Sequence, residues 1–473
     1  MNKIIEDEHK RIVKYEMMTQ APIKSLILKM AVPTIISMMV SAIYNLVDAY
    51  FVGNLSTEAT AGVGISFAFQ AFIQAAGFFF GAGSGNFISR ALGARNDKGA
   101  ENMAATGFFS SIIVGVVIAA LGLIFLSPLS KILGATQNVI SYSNSYLRFV
   151  LIATPFMISQ MVLNNQLRLQ GNASLAMIGL ISGAVLNIIL DPILIFHLKM
   201  GVSGASLATL ISQFISWCLL LWGTERKGNV HIRVKNYLPS VKLFKEMAGG
   251  GTPSFLRQAL GCVSTIILNW AAAKYSMPGD EVSTIAAFSI VSRVMMFGFA
   301  LILGLGQGFQ PVCGFNWGAG LYKRVKDSYI FSIQISTLII LIMCTLGYFF
   351  APQIVAFFRD EDPLLIEVGT RVMRWQCIAF PTVGLTMPTN MLLQNINRTY
   401  KATLLAMSRQ GIFFLPAVII APRIYGLSGL EATIAIADVC TFLLALPFAI
   451  SILKELNMRT KNSTPNNENY YGG

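Results

Sequence analysis

The sequence predicts an all-α polytopic membrane protein in which twelve transmembrane helices form two pseudo-symmetric six-helix lobes. Three observations predict this fold class: an apolar composition with few charges, twelve apolar segments of membrane-spanning length, and an internal repeat that relates the two halves of the chain. Helices are the expected spanning elements because a helix pairs its backbone polar groups within one segment, away from water.

The composition is that of a protein whose solvent is lipid. Of the 473 residues, 54% are hydrophobic and 12% are charged, whereas a soluble domain carries about 25% charged residues. The formal net charge of +13 would suggest nucleic-acid binding in a soluble protein. Here the basic residues lie in short loops between apolar runs, where they are expected to set the topology and to contact anionic lipid. The expected partner is therefore the lipid bilayer, and nucleic-acid binding is not expected.

Twelve apolar segments provide the roughly 20 residues that a helix needs to cross a bilayer. The predicted spans are residues 26–50, 59–82, 104–126, 146–167, 175–197, 204–223, 249–273, 284–306, 329–350, 368–394, 401–421 and 427–451. Lys and Arg concentrate in the loops on one side, which predicts a multi-pass protein of the cell membrane with both termini cytoplasmic. No cleavable signal peptide is expected, because residues 1–24 have mixed charge and no short apolar core.

The second half of the chain repeats the first at an offset of about 225 residues. The matched pairs are Gly93-Ala94 with Gly318-Ala319, Gly201-Val-Ser-Gly204 with Gly426-Leu-Ser-Gly429, Gly81-x-Gly83-x-Gly85 with Gly304-x-Gly306-x-Gly308, and Arg148 before Pro155 with Arg374 before Pro381. Each half contains an even number of spans, so both halves start on the same side of the membrane. The repeat is therefore parallel, with a central cleft between two lobes.

The long basic and polar connection after span 6 divides the two halves. The predicted domains are a cytoplasmic N-terminal segment (1–24), an N-lobe with spans 1–6 (25–224), a cytoplasmic linker (225–248), a C-lobe with spans 7–12 (249–453) and a cytoplasmic tail without fixed structure (454–473).

Acidic side chains inside the apolar spans of the N-lobe are candidates for ion coupling, because a charge in hydrocarbon is costly. Asn187 and Asp191 are four residues apart and share one face of span 5. At a rise of about 1.5 Å per residue, Asp191 lies roughly 24 Å into span 5 and Thr209 about 8 Å from the outer end of span 6. Asp48, near the outer end of span 1, has a similar depth.

Together these four residues predict a site for a proton or a transiently bound sodium ion, with burial raising the affinity of a carboxylate for a proton. Pro192, next to Asp191, removes a backbone donor and is expected to bend its helix. The alternative is that Asp48 lies at the membrane interface and that Asp191 merely stabilises this bend.

Charged residues of the C-lobe allow two interpretations. Arg293 lies near the middle of span 8, and Asp438 lies in the middle of span 12, seven residues after Glu431 and on about the same helix face. The first interpretation is a buried ion pair between Arg293 and Asp438. The second is a polar site for coupling or substrate that these three residues form.

Other motifs predict packing and turns, not chemistry. The Gly81-x-Gly83-x-Gly85 run is not followed by the Lys-Ser/Thr of a phosphate-binding loop, so it is expected to let helices pack closely. The sequence has no Walker A motif, so direct use of ATP is not expected. Ser203 resembles the nucleophile of intramembrane proteases, but only His197 is nearby and a helix-capping turn explains both copies of the motif. The six cysteines and three histidines lack the spacing of a metal site, so no cofactor, structural metal or catalytic residue is predicted.

Three segments resemble the multidrug and toxic compound extrusion (MATE) family, and within it the MepA-like bacterial branch: Tyr44–Gly53, Gly83–Ala94 and Asn187–Phe196. The resemblance covers all twelve spans. It implies a V-shaped pair of lobes and a secondary active antiporter, not an enzyme, that exports small cationic, lipophilic drugs or toxins in exchange for protons or sodium ions.

The resemblance also implies functions for individual residues. Relatives hold an ion at positions that match Asp48, Asn187, Asp191 and Thr209, and a proline that matches Pro33 is associated with bending of the first helix. Some relatives instead have acidic residues in spans 7 and 10, which this chain lacks within those spans. This difference favours the N-lobe as the site of coupling.

Two other functions remain open from the sequence. A flippase for a lipid-linked precursor would need basic cleft residues for a pyrophosphate, and the candidates are Arg257, Arg293 and Arg409. A membrane-embedded enzyme would need a catalytic pair within the spans, and the sequence contains no convincing one.

Overall fold

A computed structural model describes residues 2–277, 279–359 and 362–463, and this part of the chain is helical without any β-strand. The α-helices are α1 (Asn2–Gln20), α2 (Ile23–Gly53), α3 (Thr57–Gly93), α4 (Asp97–Ile124), α5 (Leu126–Ile132), α6 (Ile140–Leu169), α7 (Ala173–Pro192), α8 (Val202–Thr224), α9 (Val241–Tyr275), α10 (Glu281–Gly318), α11 (Tyr322–Phe349), α12 (Ala351–Phe358), α13 (Pro363–Ala379), α14 (Val383–Asn395), α15 (Thr399–Met407) and α16 (Phe414–Ser463). Two π-helical turns (Ile193–His197 and Ser408–Ile412) and two 3₁₀ turns (Val234–Asn236 and Phe380–Thr382) connect some of them.

The predicted twelve membrane crossings are confirmed. Within the described ranges, nine continuous helical segments are long and apolar enough to span a membrane. The last of them, from residue 399 to 462, contains two crossings because Gly426 (φ 59°, ψ −140°) breaks the helix. The remaining crossings are α9, which carries Arg257 midway, and the α13–α14 pair, which the 3₁₀ turn Phe380–Thr382 interrupts.

The structure corrects the predicted tail. α16 continues to Ser463, so residues 454–463 are helical and not without fixed structure. Leu456 is completely buried, and Arg459 pairs with Glu455 one turn earlier at 3.0 Å, which supports the helix beyond the membrane. The rest of the predicted tail, residues 464–473, lies outside the described residues.

The internal repeat is visible in the backbone and in its hydrogen bonds. Gly201 (φ 56°) and Gly426 (φ 59°) adopt the same left-handed conformation at matching positions, where a residue with a side chain would be strained. The Asn164 side-chain amide donates to the carbonyl of Ala176 at 2.9 Å, and the matching Asn390 donates to that of Ala402 at 2.7 Å. The two halves therefore share one fold.

A reciprocal contact between α3 and α10 relates the two halves. Gly93 lies against the backbone of Phe315, and Gly318 lies against the backbone of Arg90, so a side chain at either glycine would overlap the facing carbonyl. Because each partner uses the same position of the repeat, the contact is self-complementary about a two-fold axis. This arrangement agrees with a parallel repeat whose axis is normal to the membrane.

Further glycines allow the lobes to pack closely, as the Gly81-x-Gly83-x-Gly85 run predicts. Gly83 of α3 lies against the Met247 carbonyl of α9, and Gly251 of α9 lies against the Phe79 carbonyl of α3. In the second half, Gly308 of α10 packs on the backbone of Ala31 in α2. Small residues let helix backbones approach without a hydrophobic driving force, which lipid does not provide.

Helix α1 lies on one side of the bundle, which we call the α1 face, together with the linker that precedes α9. Arg11 contacts Asp97 and Glu101 of α4, each at 3.3 Å. Lys14 donates to the Gly228 carbonyl of the linker at 2.5 Å. The predicted N-terminal segment is thus an ordered helix docked on the N-lobe and the linker.

The same helix reaches the C-lobe. The Asn316 amide of α10 donates to the Met18 carbonyl at 3.1 Å, and Arg324 of α11 donates to the Ala21 carbonyl at 2.7 Å. Met18 is completely buried. Helix α1 therefore bridges both halves of the chain across the α1 face.

We expect Arg11→Ala to loosen α1, because the substitution removes ion pairs with Asp7, Asp97 and Glu101. The expected loss is about 1 to 2 kcal/mol, which corresponds to hydrogen bonds with charged groups. The measurement is the apparent melting temperature of the purified protein, together with the rate of tryptic cleavage within α1.

Lys10→Ala is the matched control, because Lys10 is half exposed and, among the described residues, its ion pair is with Glu6 on its own helix. It is expected to leave both readouts unchanged. Equal effects of the two substitutions would contradict the docking of α1 through Arg11.

Candidate functional site

The predicted N-lobe residues converge on three neighbouring helices. Asp48 lies on α2, Asn187 and Asp191 lie on α7, and Thr209 lies on α8; α7 packs against both of the other helices. None of these side chains is more than 3% exposed. Asp48 is therefore buried within the protein, whereas its depth relative to the membrane interface stays a prediction.

Several acceptor oxygens in this cluster have no partner. The Asn187 amide donates to Asp191 Oδ1 at 3.3 Å, whereas Asp191 Oδ2, Asn187 Oδ1 and Asp48 Oδ1 are buried without any hydrogen bond. No described Lys, Arg or His lies within ion-pair distance of either carboxylate. A buried acceptor without a partner is costly, and a bound cation or a proton would remove that cost.

A cavity of about 30 Å³ adjoins the cluster. Its walls include Asn187 and Thr209, together with Ser41 and Tyr44 of α2. The volume suffices for one or two water-sized occupants. Asp48 and Asp191 do not line it, although Tyr44 precedes Asp48 by one helical turn.

The polar groups around the site are oxygen ligands. Among the described residues, no group of three His, Cys, Asp or Glu side chains is arranged to hold a metal ion. The donor set near Asp48 and Asp191 consists of an amide and hydroxyl groups. Such oxygen ligands bind hard cations.

Both predicted helix-bending prolines lie within helices of the site. Pro192 is the last residue of α7, and the π-helical turn Ile193–His197 follows directly. An inserted π turn is a frequent feature of functional sites. Pro33 lies inside α2, which continues without interruption to Gly53.

Two tyrosines near the acids were missed by the sequence reasoning. The Tyr44 hydroxyl lies beside that of Thr209. Tyr146 of α6 is fully buried close to Asp48, and the Gln70 amide donates to its hydroxyl at 3.0 Å. The four-residue spacing between Tyr44 and Asp48 could have identified Tyr44, whereas no local pattern indicates Tyr146.

The predicted pair between Arg293 and Asp438 is wrong. Asp438 Oδ1 accepts from Arg409 Nε at 2.5 Å, and its other oxygen accepts from Arg409 at 3.3 Å. Arg293 is exposed and makes no described ion pair. Arg409 lies in the π-helical turn Ser408–Ile412, and a π turn shifts the side-chain direction in a way that 3.6-residue periodicity does not predict.

Glu431 does not share a site with Asp438. Its carboxylate is buried and pairs with Arg371 of α13 at 2.9 Å. The three residues of the predicted C-lobe polar site are therefore separated: two acids are neutralised by different arginines, and Arg293 stands apart from both. The structure does not bring them together.

The sequence model of the MatE family matches residues 33–193 and 253–419. Multidrug export protein MepA of Staphylococcus haemolyticus is 29% identical over 416 residues, which cover 87% of this chain and 90% of that protein. Multidrug export protein MepA of Staphylococcus aureus is 26% identical over 445 residues, which cover 93% and 96%.

Solved structures agree with this match. An outward-facing multidrug resistance MATE family transporter of the MOP superfamily aligns with a TM-score of 0.87 at 27% identity, covering 93% of this chain and 98% of that one. A MOP superfamily transporter from Pyrococcus furiosus, whose binding pocket is described as having reverse polarity, aligns with a TM-score of 0.86 at 26% identity, covering 94% and 98%.

We expect Asp438→Asn to destabilise the C-lobe by about 3 kcal/mol, because it leaves the guanidinium of Arg409 without its counter-ion. Adding Arg409→Gln should recover part of this loss, because both charges are then removed. The measurement is a double-substitution cycle on the apparent melting temperature in detergent.

The same cycle with Arg293→Gln is the control, and it is expected to show no coupling with Asp438→Asn. Coupling to Arg293 that exceeds coupling to Arg409 would contradict the observed pairing.

Proposed function

The chain belongs to the MatE family, and from this premise we propose that it is a secondary active transporter that exports chemically diverse compounds in exchange for an inorganic cation. The names of the similar proteins support export of several drugs. Exchange for protons or sodium ions, and a preference for cationic lipophilic cargo, are our inferences from the charges of the N-lobe. The transporter uses neither ATP nor a cofactor in this proposal.

The observation that carries the proposal is the pair of uncompensated acids, Asp48 and Asp191. Both are buried, and neither pairs with a described basic side chain. Two carboxylates in a low dielectric cannot both remain charged without a cation, so at least one has to bind a proton or a metal ion. A cationic substrate is a competing counter-ion for the same charge.

The proposed cycle begins with the lobes joined at the α1 face and access from the opposite face. An inorganic cation from outside neutralises Asp191 and Asp48, with Asn187 and Thr209 supplying neutral oxygens. The electrostatic attraction for a cationic drug is then lost, and the drug leaves. The lobes afterwards separate at the α1 face, the ion dissociates inside, and another drug binds.

Opening of the α1 face requires that polar contacts between the lobes break. Arg168 of the N-lobe donates to the Gln307 carbonyl of α10 at 2.7 Å. Arg90 of α3 pairs with Glu246 of α9 at 3.0 Å and donates to the Asn395 carbonyl. When the lobes separate, these groups exchange their hydrogen bonds for hydrogen bonds with water, so the net cost of breaking each contact is small.

We propose a cell-membrane location with both termini in the cytoplasm. The support is the clustering of basic residues at the α1 face, which includes Arg11, Lys14, Arg95 and Arg324. Cytoplasmic loops carry an excess of Lys and Arg. In this orientation the proposed ion site opens to the outside.

The flippase alternative has weaker support. Of its three candidate residues, Arg409 is neutralised by Asp438, and Arg293 is exposed and does not line the cavity that the other two share. Arg257 and Arg409 line one cavity, in which Arg257 alone lacks a described counter-ion.

Asp191→Asn is expected to reduce ion-driven ethidium efflux from proteoliposomes by about tenfold or more, because the amide cannot exchange a proton and holds a cation weakly. Proton and sodium gradients are imposed separately, which also identifies the coupling ion. Undiminished gradient-driven efflux would show that Asp191 does not couple the two fluxes.

Glu58→Gln serves as the matched control. It removes an exposed carboxylate at the start of α3, away from the buried cluster. Its efflux rate is expected to equal that of the unmodified protein under either gradient.

A further inference from the structure

Arg257 is a cation within a membrane crossing, and it has no counter-ion among the described residues. It lies in the middle of α9, and no described carboxylate is within ion-pair distance of its guanidinium. Its hydrogen bonds are long and to neutral oxygens: Asn390 Oδ1 at 3.4 Å and Ser254 Oγ at 3.5 Å. Such a charge within a membrane span is costly unless another group compensates it.

Arg168 shows how the same fold satisfies an arginine without an acid. Its guanidinium donates to the Gln307 carbonyl at 2.7 Å, to Asn165 Oδ1 at 2.6 Å and to Gln310 Oε1 at 3.2 Å. These acceptors bind both terminal nitrogens of Arg168, whereas its Nε is buried without a partner among the described residues. Among the described residues Arg257 has no comparably short hydrogen bonds, so its guanidinium is able to donate to a further group.

A cavity of about 30 Å³ lies beside Arg257. Arg257 and Arg409 line it together with three neutral polar residues, Thr386, Asn390 and Gln410. Arg409 is already neutralised by Asp438 and also lies over the ring of Phe299, 5.1 Å from its centroid. The cavity therefore carries one net positive charge, which belongs to Arg257.

The two lobes have opposite polarity at their cavities. The N-lobe cavity adjoins buried acids without basic partners, whereas the C-lobe cavity is lined by a guanidinium without an acidic partner. Both cavities have a volume of about 30 Å³, enough for a small ion or the end of a side group. An anion in the C-lobe cavity would receive charge-assisted hydrogen bonds from Arg257.

We propose that the C-lobe cavity binds one small monovalent anionic group at Arg257, either a free halide or the carboxylate of a zwitterionic substrate. If the anion is a substrate carboxylate, the proposal rests on the proposed export function, and the range of exported compounds then includes zwitterions as well as cations. The ammonium end of such a molecule would compete for the N-lobe acids while its carboxylate binds Arg257.

The test compares two dyes that differ only in a carboxylate. Rhodamine B carries a free carboxylate, and its ethyl ester does not. Binding to the purified protein in detergent is followed by fluorescence polarisation. Arg257→Gln is expected to weaken binding of rhodamine B by about tenfold and to change binding of the ester by less than about twofold, because only the acid uses the guanidinium.

Two further variants accompany Arg257→Gln. Arg257→Lys keeps the charge and is expected to restore part of the affinity for rhodamine B. Lys274→Gln removes a charge from the same helix, at an exposed position over the Trp270 ring, and should alter neither dye. Equal weakening of both dyes by Arg257→Gln would overturn the carboxylate subsite.

A second measurement needs no variant. Replacing chloride by gluconate at constant ionic strength should lower the apparent melting temperature of the unmodified protein if a halide occupies the cavity. Chloride should then also compete with rhodamine B and not with the ester. Arg257→Gln, where it folds, should abolish both effects.

The outcomes separate the two sources. If Arg257→Gln selectively weakens rhodamine B binding but chloride does not change the melting temperature, the cavity binds a substrate carboxylate. If chloride changes the melting temperature but the two dyes respond equally, the cavity binds a free halide. Both effects together support binding of either anion at Arg257. Absence of both effects overturns the proposal. Efflux of the ester from proteoliposomes by the unmodified protein tests the proposed export function separately, because it does not depend on Arg257.

Discussion

A charged side chain inside a membrane crossing has to be paired, neutralised or hydrated, and this constraint accounts for the placement of the charges in both lobes. Asp438 and Glu431 are each held by an arginine from a neighbouring helix. Arg168 is surrounded by neutral acceptors across the lobe interface. The two acids are neutralised, and both terminal nitrogens of Arg168 are hydrogen-bonded within the protein, so these groups have little capacity to bind anything else.

Among the described residues, three charges that depart from that rule are the groups to which we assign functions; the exposed Arg293 also lacks a described ion pair, and we assign it none. Asp48 and Asp191 lie buried in the N-lobe without a basic partner, and Arg257 lies in the C-lobe without an acidic one, in the part of the chain that the structure describes. The difference between satisfied and unsatisfied charges is therefore more informative than the presence of a charge. It distinguishes the structural C-lobe ion pairs from sites at which a ligand would supply the missing charge.

The lobe interface combines close backbone packing with polar contacts. Glycines of α3 and α10 lie directly against the facing backbones, and the reciprocal contact of Gly93 and Gly318 follows the two-fold axis. Arg90 and Arg168 add hydrogen bonds across the same interface. Because these contacts concentrate at the α1 face, and α1 itself bridges both halves there, separation of the lobes has to disrupt a defined set of groups.

The sequence by itself determined the membrane class, the twelve crossings, the duplication and the clustering of Asp48, Asn187, Asp191 and Thr209. Hydropathy, span length and helical periodicity are local properties, and depth follows from the rise per residue. Only the tertiary structure decided which partner each C-lobe charge has, because Arg409 reaches Asp438 from a π-helical turn and through packing between distant segments. The same packing isolates Arg257, since the absence of a counter-ion is a property of everything that surrounds a side chain and not of its neighbours in sequence.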